Sequence, residues 1–328
     1  MAFFLLLASC FAPNVCAVVP RAQATPPVSE NALTPAESVR GVLSVPDTSL
    51  DYMTAKLAFD RIIRPSIDET AIRAQIDALA AQARAIAGPS ASDVDKLKAV
   101  RQVLYDSGTW NGNRPFSYDH EDPLGLNVYN KLLPTYLGSR RGNCVSMPVL
   151  HIILAEKLGL NVHLSTAPLH MFVRYTNPQN QHDLSIEPTS GGYPTRDVWY
   201  RENLPMSDMA VEQGLYLKTL TKRESIAHMA TTVMEYLMVK GRYQEAITVG
   251  YAILDRYPRD GYTMVKMGTA AGEIMQRDFV QKYPRGSQWP LGEAAKFQHW
   301  QELNELTFRK ATRLGWEQPS EIRTNKAP

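Results

Sequence analysis

A cysteine, a histidine and two carboxylates follow one another along the middle of the chain: Cys144, His170, then Asp183 and Glu187. Together these residue types can perform acyl transfer. A thiol attacks a carbonyl carbon, an imidazole carries the proton, and a carboxylate fixes the tautomer and orientation of the ring. Cys144 is the only cysteine after Cys16. It stands in "RGNCVSMPVLH", where Gly142-Asn143 reads as a helix start and Val145, Val149, Ile152, Ile153 and Leu154 as the buried face that follows. Backbone amides and the macrodipole at a helix N-terminus favour an anion, which suits a reactive thiol. A lone cysteine can also be a small buried hydrophobe, but this position tilts the balance towards reactivity. The Cys144 amide could supply one oxyanion donor, and Asn127, Tyr129 or Asn130 upstream a second. Pro148 sits one residue deeper than helices favour, which predicts a distorted first turn.

The elements that must position these groups are legible around them. "NVHLSTAP", "HMFVRY" and "HDLSIE" read as strands, with His170, Phe172 and Arg174 on one face. "TNPQNQ" is rich in turn residues and connects the last two. Pairing Tyr175 with His182 would set Arg174 opposite Asp183 and His170 opposite Glu187, about 5 Å apart. A slip by one residue would undo both pairs. Upstream, "SLDYMTAKLAFDRII", "SIDETAIRAQIDALAAQARAIAG" (capped by Ser66) and "SDVDKLKAVRQVLYDSG" carry apolar residues at helical spacing. A polar loop rich in Gly, Pro and Asn then runs from Trp110 to Leu126. Of the other histidines, His151 is expected to pack or cap locally. His163 should face outward or a neighbouring strand, and His120 lies in a polar loop.

The ordered stretches "RRGNCVSMPVLHIILAEKLGL", "APLHMFVRY" and "LSIEPTSGG" resemble the transglutaminase-like superfamily, and the likeness runs from about Leu50 to Gly192. It is most similar to the SirB-type subgroup, in which such a core precedes tetratricopeptide-like helices. The resemblance implies an α+β fold: a papain-type core of N-terminal helices packed with a small antiparallel sheet, followed by an α-helical region. It also implies that Cys144 is the nucleophile and His170 its base. Glu187 stands where the family has Asp before Pro, so its extra methylene must be absorbed; Asp183 is the reserve orienter.

Downstream, "ATTVMEYLMVKGRYQEAITVGYAILDRYP" fits a tetratricopeptide unit through Gly241, Tyr243, Ala246, Leu254 and Pro258. Met264, Met267 and Gly268 begin another, the match decays after Met275, and "EAAKFQHWQELNELTFRKATRLG" reads as a final helix. So few repeats must lean on the core or on a neighbour. A groove for a protein partner and a structural buttress both fit. The expected organisation is a leader (1–24), a Pro/Ser-rich linker (25–46), a transglutaminase-like domain (47–205), a tetratricopeptide-like region (206–315) and a tail (316–328).

The leader reads as a secretory signal peptide ending at Ala24, or as a lipoprotein leader lipidated at Cys10. Either reading predicts export, to the periplasm or beyond. Its apolar run is too short to span a bilayer. The formal net charge of +2, without a basic stripe, argues against nucleic acid. No HExxH, CxxC or glycine-rich phosphate loop is present, so no metal or cofactor is expected. The function expected is acyl transfer at an amide of a peptide or protein, resolved by water (peptidase, deamidase) or by an amine (transglutaminase). A catalytically silent peptide-binding scaffold is the competing reading.

Overall fold

Helix begins inside the stretch that composition reads as linker. The structure, a computed structural model, describes residues 33–284 and 289–318; the leader, with Cys10 and Cys16, lies outside them. Thr34 accepts from the Glu37 amide at 3.2 Å, and the Glu37 carboxylate accepts from the Thr34 amide at 2.8 Å. This capping box, with Pro35 in the first helical position, opens α1 (Pro35–Leu43). Ala36, Val39 and Leu43 are buried. The Pro, Ser and Thr that suggest a linker are therefore helix-start residues here, and 35–43 is not linker.

The expected helices follow as α2 (Tyr52–Ile63), α3 (Glu69–Ala87) and α4 (Asp93–Tyr105). The cap of α3 is Asp68 rather than Ser66: its carboxylate accepts from the Ala71 amide at 3.0 Å. Two short strands, β1 (Ser117–Tyr118) and β2 (Arg141–Gly142), pair in parallel, with α5 (Leu133–Ser139) between them in sequence. Then come α6 (Ser146–Lys157) and the antiparallel sheet β3 (Val162–Ala167), β4 (His170–Thr176), β5 (Asp183–Glu187), β6 (Tyr193–Thr195), in that spatial order. The chain is thus α+β. The remainder is helical: α7 (Asp197–Asn203), α8 (Asp208–Glu212), α9 (Lys222–Met229), α10 (Thr231–Val239), α11 (Tyr243–Leu254), α12 (Gly261–Met275) and α13 (Glu293–Arg313).

One apolar cluster joins these parts. It includes Val39 of α1, Ile152 of α6, Leu164 and Val173 of the sheet, and Val233, Ile253 and Met267 of the later helices. The later helices thus share a core with the sheet instead of burying their faces alone. The free edge of β3 is covered by the segment before α9: Leu217 and Leu220 amides donate to the Thr166 and Leu164 carbonyls at 2.9 and 3.0 Å. No helix among the described residues is long and apolar enough to cross a membrane.

Helix α6 is buried along most of its length and carries His151 into this core at 1% exposure. Its ring stacks on Tyr105, with Nδ1 3.4 Å from the phenol oxygen, and Nε2 has no partner among the described residues. Burial pushes the imidazole down to about 4. An unfolded histidine titrates near 6.5, so between these values only the unfolded chain takes up the proton. Stability is therefore expected to fall as pH drops from 6.5 towards 4, by about 3 kcal/mol at 1.36 kcal/mol per unit. Urea unfolding at either end of that window, in wild type and His151→Gln, checks this; equal slopes in the two proteins would contradict it.

Candidate active site

The cysteine is presented by a turn that tolerates little variation. A Cβ on Gly142 would lie 2.5 Å from Tyr136 Cε2 and 2.7 Å from Met147 Cγ, so only glycine lets β2 pass between those side chains. Asn143 follows, 1% exposed, and its Oδ1 accepts from the amides of Val145 (3.0 Å) and Ser146 (3.1 Å). Its own amide donates to Ser146 Oγ at 3.1 Å. These bonds close a turn around Cys144, whose side chain is partly exposed. Helix α6 begins at Ser146, later than the sequence suggests. Pro148 falls in the first turn, and its missing N–H interrupts the ladder at the Cys144 carbonyl, between the Met147 amide bond to the Asn143 carbonyl (3.1 Å) and the Val149 amide bond to the Val145 carbonyl (3.3 Å). This interruption is the first-turn distortion expected at Pro148, and the regular helix starts only at Ser146.

His170 opens β4 and pairs with Ala167 across the two-residue connection Pro168-Leu169. The β4–β5 register differs from the expected one. Thr176 pairs with Asp183, Tyr175 with Leu184 and Arg174 with Ser185, a shift of two residues in pairing. The turn begins one residue later than "TNPQNQ" suggests, so each strand moves by one. A shift of two keeps every side chain on its expected face. Glu187 is thereby a diagonal neighbour of His170 rather than its direct opposite, a separation of about 7–8 Å instead of about 5 Å. The longer side chain spans it, and His170 Nε2 lies 2.7 Å from Glu187 Oε2. The methylene that Glu has beyond Asp is taken up by this geometry.

Glu187 is 2% exposed and fully engaged. Oε2 also accepts from the Tyr200 hydroxyl at 2.9 Å, while Oε1 accepts from the Thr189 amide (3.0 Å) and hydroxyl (2.6 Å). Burial would raise its pKa, but the charge and hydrogen bond of His170, with the Thr189 bonds, hold it below the usual range. For His170 burial favours the neutral ring; the Glu187 charge and the hydrogen bond with Cys144 outweigh it and push the imidazole up to about 10. An imidazolium between a thiol and a carboxylate can stabilise a thiolate and later protonate a leaving group.

Leu169, which precedes His170 and touches Cys144, is strained. Its carbonyl oxygen lies 3.6 Å from Cys144 Sγ, its φ is 54°, and its side chain is 52% exposed. A non-glycine residue in the left-handed region costs about 1–2 kcal/mol. Leu169→Gly is expected to raise stability by about 0.5–1 kcal/mol, after the unfolded-state entropy of glycine is subtracted. Thermal unfolding reads this directly, and a destabilised variant would show the strain to be absent.

The other expected site residues are used elsewhere. Asp183 accepts from Thr176 Oγ1 at 2.6 Å and from Thr219, because the register shift carries it to the far end of the strand pair. Asn127 Oδ1 accepts from the Tyr129 amide (3.1 Å), and Asn130 Nδ2 donates to Asp122 (2.9 Å). Tyr129 packs edge-on against Tyr236. These three side chains tie down their own loop or pack, rather than bond to Cys144. Arg174, expected to face Asp183, forms a two-pronged pair with Asp197 at 2.7 and 2.8 Å. Tyr200 and Thr189 escape the sequence reading. Thr189 follows the Glu-Pro pair and has a local signal, an acceptor two residues before it. Tyr200 reaches Glu187 from α7 and stacks on Phe172 at 4.1 Å, which no spacing announces.

Residues 70–231, a span that includes Cys144, His170 and Glu187, match a family model described as "Transglutaminase-like superfamily". The middle of the chain is therefore transglutaminase-like. No curated protein matches the chain. A solved structure described as a crystal structure of menin that reveals the binding site for Mixed Lineage Leukemia (MLL) protein aligns over 88% of this chain and 84% of that one. The identity is 14% and the TM-score 0.35, too low a likeness to carry an argument.

Proposed function

We propose that this protein is a cysteine acyltransferase or amidohydrolase acting on an amide of a peptide or protein. The observation that carries the reading is His170, 2.7 Å from the buried Glu187 carboxylate and acted on by Cys144, whose Sγ lies 3.6 Å from the carbonyl of the residue before it, Leu169. Cys144 Sγ, as thiolate, attacks the amide carbon, and the C–O π bond opens to a tetrahedral oxyanion. Collapse breaks the C–N bond as His170 gives its proton to the departing amine, leaving a thioester. Water or an amine then attacks the thioester carbon, His170 takes that nucleophile's proton, and the thiolate departs. Glu187 stays ionised and holds the ring.

Export is proposed on the leader alone, with the chain working in the periplasm or outside the cell, lipid-anchored at Cys10 in the lipoprotein reading. The α10–α11 pair supports the tetratricopeptide-like and SirB-type readings through Gly241 at φ 70° between the helices and Ala246 buried at 0%. The test is incubation of wild type and Cys144→Ala with dimethylcasein and monodansylcadaverine. Incorporated amine, released ammonia and new peptide termini are scored separately. Any one of them, lost with Cys144, supports the proposal and names the reaction; none of the three in the wild type would sink it.

A further inference from the structure

Beside the cysteine, the seam between residues 128–131 and the later helices holds a cationic cluster that acyl transfer does not use. Lys131, 7% exposed, ion-pairs with Glu235 of α10, and the Tyr262 hydroxyl of α12 donates to the same carboxylate. Lys266, one turn along α12, lies with Nζ 5.1 Å from the centre of the Tyr262 ring. It is partly buried and has no ion pair or hydrogen bond among the described residues. Both ammonium charges act on the Glu235 carboxylate, but its hydrogen bonds go to Lys131 and Tyr262. The nearby acid Asp260 is engaged by His228 Nδ1 and Thr263 Oγ1, each at 2.9 Å. On the loop opposite, Asp122 is taken by the Leu126 and Asn127 amides and by Asn130.

This seam adjoins Cys144. Burial and Glu235 raise the Tyr262 phenol, and the Cys144 charge adds to that push, as it does at Tyr118. Gly125 links the two sides: a Cβ there would lie 3.1 Å from Asn143 Nδ2 and 3.2 Å from Lys131 Cε. Asn143 Nδ2 is itself buried and without an acceptor among the described residues. An ammonium removed from water needs an anion, and a buried amide needs an acceptor. Among the described residues neither donor, Lys266 Nζ nor Asn143 Nδ2, has an acceptor.

We propose that this seam binds a carboxylate of the acyl substrate, with Lys266 as its ligand, so that the enzyme prefers acidic peptides. The inference rests on the proposed function for its use but not for its test. The carboxylate could belong to a substrate side chain or to a chain end. N-bromoacetyl-glycine carries a chain-end carboxylate, and N-bromoacetyl-glutamic acid α-amide a side-chain one; each is compared with its fully amidated counterpart. Cys144 thiolate displaces bromide from either reagent, forming a C–S bond as the C–Br bond breaks, and no amide need be cleaved.

Relative to the same ratio with glutathione, at least one acid is expected to react about tenfold faster than its amide, the factor given by one charge-assisted hydrogen bond. Lys266→Met should bring that ratio close to one, Lys266→Arg should keep it, and added salt should shrink it. Lys266→Gln serves if the methionine variant does not fold. Equal rates for acid and amide in the wild type, or a preference unchanged in Lys266→Met, would overturn the proposal. Casein turnover without a carboxylate preference would refute this inference and leave the enzyme; preference without turnover would do the reverse.

Discussion

Cys144→Ala is expected to lower acyl transfer at least about 10⁴-fold, as removal of a nucleophile does in other triads, while leaving stability within about 0.5 kcal/mol. The split between the two effects is the informative part. Sγ interacts only with the Leu169 carbonyl, at 3.6 Å, and with the His170 ring among the described residues, and Cys144 belongs to neither apolar cluster. The turn around it is held by Gly142 and by the Asn143 side chain and amide, none of which depends on the thiol. A structural cysteine in a core would give the opposite pattern, about 1–3 kcal/mol lost with no fixed relation to activity. Turnover of dimethylcasein and urea unfolding, measured on the same preparations, separate the cases. A variant as active as wild type would remove Cys144 from the chemistry. Cys144→Ser should lose nearly as much, since the seryl oxygen is a far weaker nucleophile at neutral pH.

What the sequence reveals of this site, and what it hides, divides along local and long-range determinants. Cys144 and His170 are legible because each stands at the start of an element whose signals are adjacent: Gly142-Asn143 before α6, Pro168-Leu169 before β4. Glu187 is legible as a residue on the correct face, but its distance from His170 depends on register. Register is set by where the turn closes, at Thr176 and Asp183, which composition leaves free by one residue. Helix α1 is hidden because Thr34, Pro35 and Glu37 are ambiguous until Val39 and Leu43 find a core to enter. Tyr200, Lys131, Glu235 and Lys266 meet their partners only across helices far apart in the chain. No window of sequence contains both ends of those contacts.

Glu187 should tolerate neither Asp nor Gln, although both are nominally conservative. Asp keeps the charge but is one methylene short of a diagonal neighbour, so His170 loses its 2.7 Å contact. Gln keeps the length but replaces one acceptor with an amide that faces donors from His170, Tyr200 and Thr189. We expect kcat to fall about 10²-fold or more for Asp, and about 10³–10⁴-fold for Gln, by analogy with loss of the orienting carboxylate in other triads. A pH signature accompanies the Gln variant. His170 titrates near 10 in the folded protein, against about 6.5 when unfolded. The ion pair's contribution is therefore complete below pH 6.5 and is lost as pH rises towards 10. Over that window the His170 contribution to wild-type stability should decline by roughly 5 kcal/mol, taking about 1.36 kcal/mol per unit. Glu187→Gln should flatten most of that slope; what remains comes from the effect of Cys144 on His170 and from His228, which Asp260 also raises against the effect of burial. Urea unfolding of both proteins across pH 6.5–10, with kcat at each point, is the measurement. A slope unchanged by Glu187→Gln, or full activity in Glu187→Asp, would mean that another group orients His170.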